Sequence, residues 1–319
     1  MRLHCKLQWY SIILFFTIIL SASMFFKKED IGLTKTTPKT TEGALSLANS
    51  KHVTKSLTQL GRMDEVNRHL LFLNHVPKCG TEILILLLQK LQGYNNYRHV
   101  RLKYGNKRLL SNLQQEHLVY EMYDIMKKEA VPVSLDRHVF FINFTQFGRQ
   151  FPTYINLIRH PVDKIISRST DKEVRKDYFY KCLVSKRNGC NFKNGQPYEL
   201  SIPYFCGHDK LCMILNNDWA LQRAKQNVAK YYPVVGVLEE LNATLEVFEN
   251  TIPYFFKGVQ KLYQKEFLHL QNNRKKADVP KMVIQQLEDT LINEIEFYEW
   301  IKSRLFRQLQ ILYGEHHNH

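Results

Sequence analysis

Apolar positions along the chain fall into short continuous runs that alternate with stretches of helical spacing. The runs Leu70–Val76, Val139–Phe144, Tyr154–Ile158 and Val234–Leu238 are rich in β-branched and aromatic residues. Unbroken runs of this kind suit strands buried on both faces, as in a parallel sheet. Helical spacing follows at Thr81–Leu91, Val162–Arg168, Trp219–Tyr231 and Glu239–Phe248, and a longer segment, Lys281–Leu312, closes the pattern. The alternation predicts an α/β fold, a central parallel sheet flanked by helices. No internal repeat is visible.

One apolar stretch stands outside this rhythm. Trp9–Phe26, "WYSIILFFTIILSASMFF", carries no charge, with Arg2 and Lys6 before it and Lys27 and Lys28 after it. That length can cross the hydrocarbon core of a bilayer. Its bulky end, without a small-x-small cleavage pattern, favours a retained signal anchor over a cleaved signal peptide. Lys and Arg are nearly balanced across it, so flanking charge does little to set orientation. Residues 27–67 are rich in Lys, Thr, Ser, Asn and Gly and read as a stem. The expected organisation is a cytosolic tail (1–8), a transmembrane helix (9–26), the stem (27–67), a lumenal domain (68–313) and a short tail (314–319).

Composition narrows the partners. Across 319 residues, 45 Lys and Arg against 30 Asp and Glu give a formal charge of +15, a surface that attracts polyanions. Cys5 precedes the anchor and Cys79 sits in the motif described next, while Cys182 with Cys190 and Cys206 with Cys212 form two close pairs. Neither pair has zinc-type C-x2-C spacing, and short loops closed by paired cysteines fit disulfides in an oxidising lumen. Sequons at Asn143 and Asn242 suit the same compartment. A lumenal domain does not meet DNA or RNA, so the expected partner is an acidic glycan, with no nucleic acid.

Two motifs carry chemistry. In "NHVPKCGTEILILLLQKL" (Asn74–Leu91) a strand runs into Lys78, Cys79, Gly80 and Thr81 and then a helix. Unsatisfied amides at a helix start bind phosphate or sulfate oxygens, Gly80 admits close approach, and Lys78 adds a mobile charge. A plain turn capped by Thr81 is the alternative. A Walker A loop is disfavoured, because there the lysine follows the second glycine. In "YINLIRHPVDKIISR" (Tyr154–Arg168), Arg159 ends a strand and Ser167 lies about two helical turns on. Arg159 can grip a second phosphate, or simply pair with a carboxylate such as Asp163.

Together the motifs resemble the donor site of sulfotransferases. The wider text is similar to the membrane-bound uronyl 2-O-sulfotransferases, the heparan and dermatan sulfate enzymes and, nearest in character, the insect Pipe-type branch. The matching phrases are "RHVFFINFTQFG" (137–148), "IPYFCGHDKLC" (202–212), "WALQRAKQNV" (219–228), "VVGVLEEL" (234–241) and "EFYEWIKSRL" (296–305). The resemblance implies a P-loop-like sulfotransferase fold and 3′-phosphoadenosine 5′-phosphosulfate as donor, with no metal. Lys78, Cys79, Gly80 and Thr81 would hold the 5′-phosphosulfate and Arg159 and Ser167 the 3′-phosphate, with 269–276 closing over the nucleotide. His138 would be the general base and Lys78 would also act in catalysis. The pairs Cys182–Cys190 and Cys206–Cys212 match the family's disulfides. A type II Golgi membrane protein transferring sulfate to a uronic acid 2-hydroxyl follows, and members of this group can form homo-oligomers.

Arg168, Lys172, Arg175 and Lys176 are candidates for gripping the acceptor. Departures from the family pattern are Glu82 and Ile83 after the loop, His160 after Arg159, Asp136 two residues before the base, and a shortened segment at 169–180. They bear on acceptor identity and leave a second expectation open: a catalytically degenerate relative that binds acidic glycan or an active paralogue.

Overall fold

A computed structural model describes residues 65–103, 107–129, 131–169, 192–193, 195, 197–268 and 279–316. In chain order the elements are β1 (Val66–Leu73), α1 (Thr81–Asn95), β2 (Arg98–Arg101), α2 (Asn112–Glu129), β3 (Val133–Asp136), β4 (Phe151–Ile158), α3 (Pro161–Ser169), α4 (Ile202–Cys206), α5 (Asp218–Tyr231), β5 (Val234–Val237), α6 (Leu241–Thr251), α7 (Pro253–Phe256), α8 (Val259–Glu266), α9 (Lys281–Thr290) and α10 (Ile292–His316).

The strands form one sheet, all parallel, in the order β2-β3-β1-β4-β5. β1 is its centre, and Leu70 to Leu73 are fully buried, with helices covering both faces. This is the parallel α/β sandwich that continuous apolar strands demand. On one part of it α6 and α10 pack against β5, and α7 and α8 lie against α1. A second, smaller core of Val162, Ile165 and Ile166 from α3 with Val283, Leu287 and Leu291 fixes α3 to the C-terminal helices.

Three sequence expectations change. Val139–Phe144 is not a strand: the strand is Val133–Asp136, and 139–143 runs as irregular backbone into a 3-10 turn at Phe144–Phe147. Its apolar content reflects burial, since Val139 and Ile142 are fully buried, while Phe141 donates its N–H to the Tyr204 carbonyl instead of a ladder partner. The segment Lys281–Leu312 is two helices, parted at Leu291. There Asn216 Nδ2 donates to the Thr290 carbonyl at 2.8 Å and Asn216 Oδ1 accepts from the Asn293 N–H at 3.2 Å, so one distant side chain caps both ends. Finally, β2 and α2 carry too many polar residues to stand out in the apolar pattern.

The disulfide Cys206–Cys212 is formed. The pair Cys182–Cys190, the apolar segment 9–26, residues 27–64 of the expected stem (27–67) and residues 269–276 lie outside the described residues, and β1 begins at Val66, inside that expected stem. Among those described, no helix is long and apolar enough to cross a membrane.

Candidate active site

The chain leaves β1 toward β2 on one side of the sheet and leaves β4 toward β5 on the other. Neighbouring parallel strands whose connections diverge leave a crevice at their carboxyl ends, where ligands bind in open α/β sheets. The loop 74–80 and Arg159 both emerge there. Asn74 anchors the loop: its amide donates to the Tyr204 carbonyl at 2.9 Å, and its Oδ1 accepts from Tyr232 Oη at 2.9 Å and Asn156 Nδ2 at 3.1 Å. A fully buried asparagine satisfied on both sides turns the backbone at one defined point.

Within the loop, Lys78 takes φ +63° and Gly80 φ +74°, both left-handed. A Cβ at Gly80 would stand 2.6 Å from Leu238 Cδ1, so a larger residue must shift that side chain as well as adopt the left-handed backbone. Cys79, between them, points inward and is fully buried, its thiol pushed up to about 11, chiefly by burial. Arg159, just past β4, meets that thiol through its backbone. Lys78 is exposed. Gly80 is the N-cap of α1, and no side chain caps the helix start. The Ile83 N–H turns back to the Gly80 carbonyl at 3.0 Å, the Thr81 and Glu82 amides have no side-chain cap, and Thr81 is not the cap that the alternative reading required.

Ser167 is half-buried on α3, on the helix that Arg159 leads into. On the same helix Lys164 is almost wholly buried, its Nζ 5.8 Å from the Tyr204 ring centre. Glu239, from the turn after β5, accepts the His160 N–H at 3.0 Å, and Tyr298 donates to its other oxygen at 3.3 Å. These groups, with Glu294 capping α4 through the N–H groups of Ser201 and Ile202, were not singled out from sequence. They become neighbours only through the sheet and the last helix.

His138 lies beside the loop because β1 and β3 are paired and their ladder continues past both strands. The Arg137 N–H donates to the Leu73 carbonyl and the His75 N–H to the Arg137 carbonyl, each at 3.1 Å. His138 Nδ1 then donates to the His75 carbonyl oxygen at 3.0 Å. A carbonyl only accepts, so Nδ1 carries the proton and Nε2 is the basic nitrogen. Burial first, and repulsion from His75 second, lower His138 to about 4, so the imidazole is neutral at neutral pH.

The carboxylate that follows the loop is engaged elsewhere. Glu82 Oε1 pairs with Arg101 Nη2 at 3.4 Å, and Arg101 Nε also meets Asp136 Oδ2 at 3.4 Å. Arg168 is on α3; Lys172, Arg175 and Lys176 lie outside the described residues. Asn143 Oδ1 accepts from the N–H and hydroxyl of Thr145. Asn242 is exposed on α6, whereas its sequon partner Thr244 is buried and bonded to the backbone of Val237.

An uncapped helix start, a glycine in the left-handed region, an exposed lysine and an arginine at the next strand end fit the 5′- and 3′-phosphate groups of a phosphosulfate nucleotide. Fold and site define a parallel α/β domain with an exposed lysine and an uncapped helix start at the end of its central strand and a neutral imidazole beside them. The profile of the Sulfotransferase family matches residues 63–300, and the chain belongs to that family. It is similar to the "Uronyl 2-sulfotransferase homolog pip" of Drosophila melanogaster, 31% identical over 76% of this chain and 53% of that protein. It is equally similar, at 31%, to the Homo sapiens uronyl 2-sulfotransferase, over 76% of this chain and 63% of that one. Heparan sulfate 2-O-sulfotransferase 1 of Gallus gallus is 29% identical over 78% of this chain and 74% of its own length. The chain thus spans between about half and two thirds of the first two relatives.

Proposed function

We propose that the protein transfers a sulfuryl group from 3′-phosphoadenosine 5′-phosphosulfate to the 2-hydroxyl of a uronic acid in a glycosaminoglycan or related glycan. The observation that carries this is the His138 Nδ1 bond to the His75 carbonyl, which presents a neutral, basic Nε2 beside the uncapped start of α1. The names of the relatives, uronyl and heparan sulfate 2-sulfotransferases, supply the substrate class.

The donor supplies the sulfuryl group. Lys78, the amides of Cys79 to Thr81, Arg159 and Ser167 hold its phosphates. His138 Nε2 takes the proton of the sugar hydroxyl as that oxygen bonds to sulfur in line with the departing phosphate oxygen. Lys78 balances the charge that develops on that oxygen. Arg168, Lys172, Arg175 and Lys176 grip the acidic acceptor. In this reading the protein is a type II Golgi membrane protein anchored by 9–26, with its catalytic domain in the lumen and copies of the chain able to associate.

A glycan-binding role without catalysis rested on Glu82, Ile83 and the shortened segment 169–180; of these, Glu82 is paired with Arg101, which favours the enzyme on that point. The test incubates the full-length chain, His138→Ala and Lys78→Ala with radiolabelled donor and heparan, dermatan and chondroitin acceptors. Incorporation by the unaltered chain and loss in both variants is expected. No incorporation, with no thermal stabilisation by 3′-phosphoadenosine 5′-phosphate, overturns the reading.

A further inference from the structure

Among the described residues, a buried charge cluster outside the groups already given roles surrounds Asp136. The side chains of His75 and Asp136 are both fully buried, with His75 Nε2 and Asp136 Oδ2 3.4 Å apart. His99 Nε2 lies 3.2 Å from Asp136 Oδ1, and Arg101 Nε 3.4 Å from Oδ2. Burial raises the proton affinity of such a carboxylate, but the imidazoles of His75 and His99 against it, with the Arg101 charge, outweigh burial and hold Asp136 ionised. An ionised carboxylate in an apolar core orients whatever donates to it.

His75 is the member of this cluster that reaches the site on two sides. Its Nδ1 is 3.3 Å from Thr81 Oγ1, the first residue of the helix at the anion cradle. Its ring centre is 3.6 Å from that of His138, with planes 40° apart. We propose that His75, clamped by Asp136, is a positioning residue for sulfate transfer, holding the His138 ring and the Thr81 hydroxyl in one fixed relation. This rests on the reading of His138 as the base. His75 is too deeply buried to touch a substrate itself, so it acts through those two neighbours.

The geometry also gives His75 an electrostatic part. The His75 ring, with Nε2 turned toward Asp136, lies tilted against that of His138, and electrostatic repulsion from it opposes protonation of His138. The charged and titratable groups around the pair are Asp136, His99, Arg101 and, near His138, Arg108. Removing the His75 ring should let His138 accept a proton more readily, which loss of packing alone would not do.

The experiment compares the full-length chain with His75→Gln and Asp136→Asn in three measurements: binding of 3′-phosphoadenosine 5′-phosphate, steady-state kinetics on a uronate acceptor, and titration of carbon-13-labelled His138 by nuclear magnetic resonance. Expected are retained nucleotide binding, a kcat lower by about a hundredfold, and an upward move of the His138 midpoint in His75→Gln. Unchanged kcat in a folded variant overturns the proposal, as does a lowered kcat with an unmoved midpoint, which marks a merely structural role. Should His75→Gln fail to fold, Asp136→Asn decides by its kcat at retained nucleotide binding. Should the unaltered chain sulfate no uronate, the assigned function falls, and the His138 titration still decides the role of His75.

Discussion

The His138 imidazole is tied to its neighbour's backbone: Nδ1 donates to the His75 carbonyl at 3.0 Å. Because the acceptor is main chain, no side-chain substitution at 75 changes the tautomer. The bond fixes which nitrogen is basic, and burial keeps it unprotonated, with His138 lowered to about 4 from 6.5. A base must be deprotonated to act, so activity is lost only as pH falls through the lowered value. The acid limb of kcat/KM should therefore lie well below the ordinary histidine range. A limb near 6.5 would show that this imidazole is not the base.

Lys78 separates activity from stability. Its φ of +63° is a strained conformation for a residue with a side chain. Lys78→Gly should remove that strain and leave thermal stability equal or up to ~1 kcal/mol higher. The same variant should lose roughly a hundredfold or more in kcat, as expected when a charge-stabilising group is removed. Urea unfolding beside a transfer assay tests both halves, and a stable, fully active Lys78→Gly would refute the role given to the lysine.

Gly236 in β5 has no room for a methyl group. A Cβ there would lie 2.2 Å from Thr244 Cγ2 and 2.9 Å from Leu157 Cδ1. Thr244 cannot swing away cheaply, since its hydroxyl accepts the Val237 N–H at 2.9 Å and donates to the Val237 carbonyl at 3.1 Å. Gly236→Ala should cost about 1–3 kcal/mol by overpacking. Denaturant midpoints measure it, and a neutral result would place Thr244 elsewhere.

Acid should destabilise the fold through two histidines. His138 and His208 are both lowered to about 4 from 6.5, by burial first in each case. Below 6.5 the unfolded chain takes up protons that the folded chain refuses, so stability is full above 6.5 and is lost as pH falls toward 4. Asp136 has linkage of the same sign in a more acidic window: its lowered value gives stability that is lost as pH falls below 3.8. His208 Nδ1 accepts the Leu110 N–H at 3.0 Å. His208→Asn should flatten the loss between pH 6.5 and 4 by on the order of 1–3 kcal/mol. Thermal unfolding across pH reads this directly, and an unchanged slope would remove His208 from the account.

Arg101 keeps the Glu82 carboxylate occupied. Glu82→Gln should accordingly leave affinity for 3′-phosphoadenosine 5′-phosphate almost unchanged, whereas Arg101→Ala should weaken it, because the carboxylate is then unpaired on the first turn of the anion-binding helix. Calorimetry on both variants gives the comparison. A large gain in affinity for Glu82→Gln would mean that the carboxylate opposes the nucleotide even when paired.

Local pattern alone determined the parallel α/β class, the strand–loop–helix cradle at Lys78 to Thr81 and the arginine at the end of the next strand. Each of these depends on residues adjacent in the chain: an apolar run, a proline, a glycine, a helix start. Strand β3 escaped because its four residues, Val133–Asp136, owe their burial to the centre of the sheet, while the more apolar 139–143 is buried without pairing. The break at Leu291 escaped for a similar reason, since Asn216 makes it from outside the helices. What only the tertiary structure decided is electrostatic: which partner each charged side chain finds. Glu82 turns out to face Arg101, and Asp136 to gather His75, His99 and Arg101 around one carboxylate. Those pairings join β2 and β3 to the loop after β1 and to α1, and for the buried Asp136 the cost of a charge without a partner is what holds its neighbours in place.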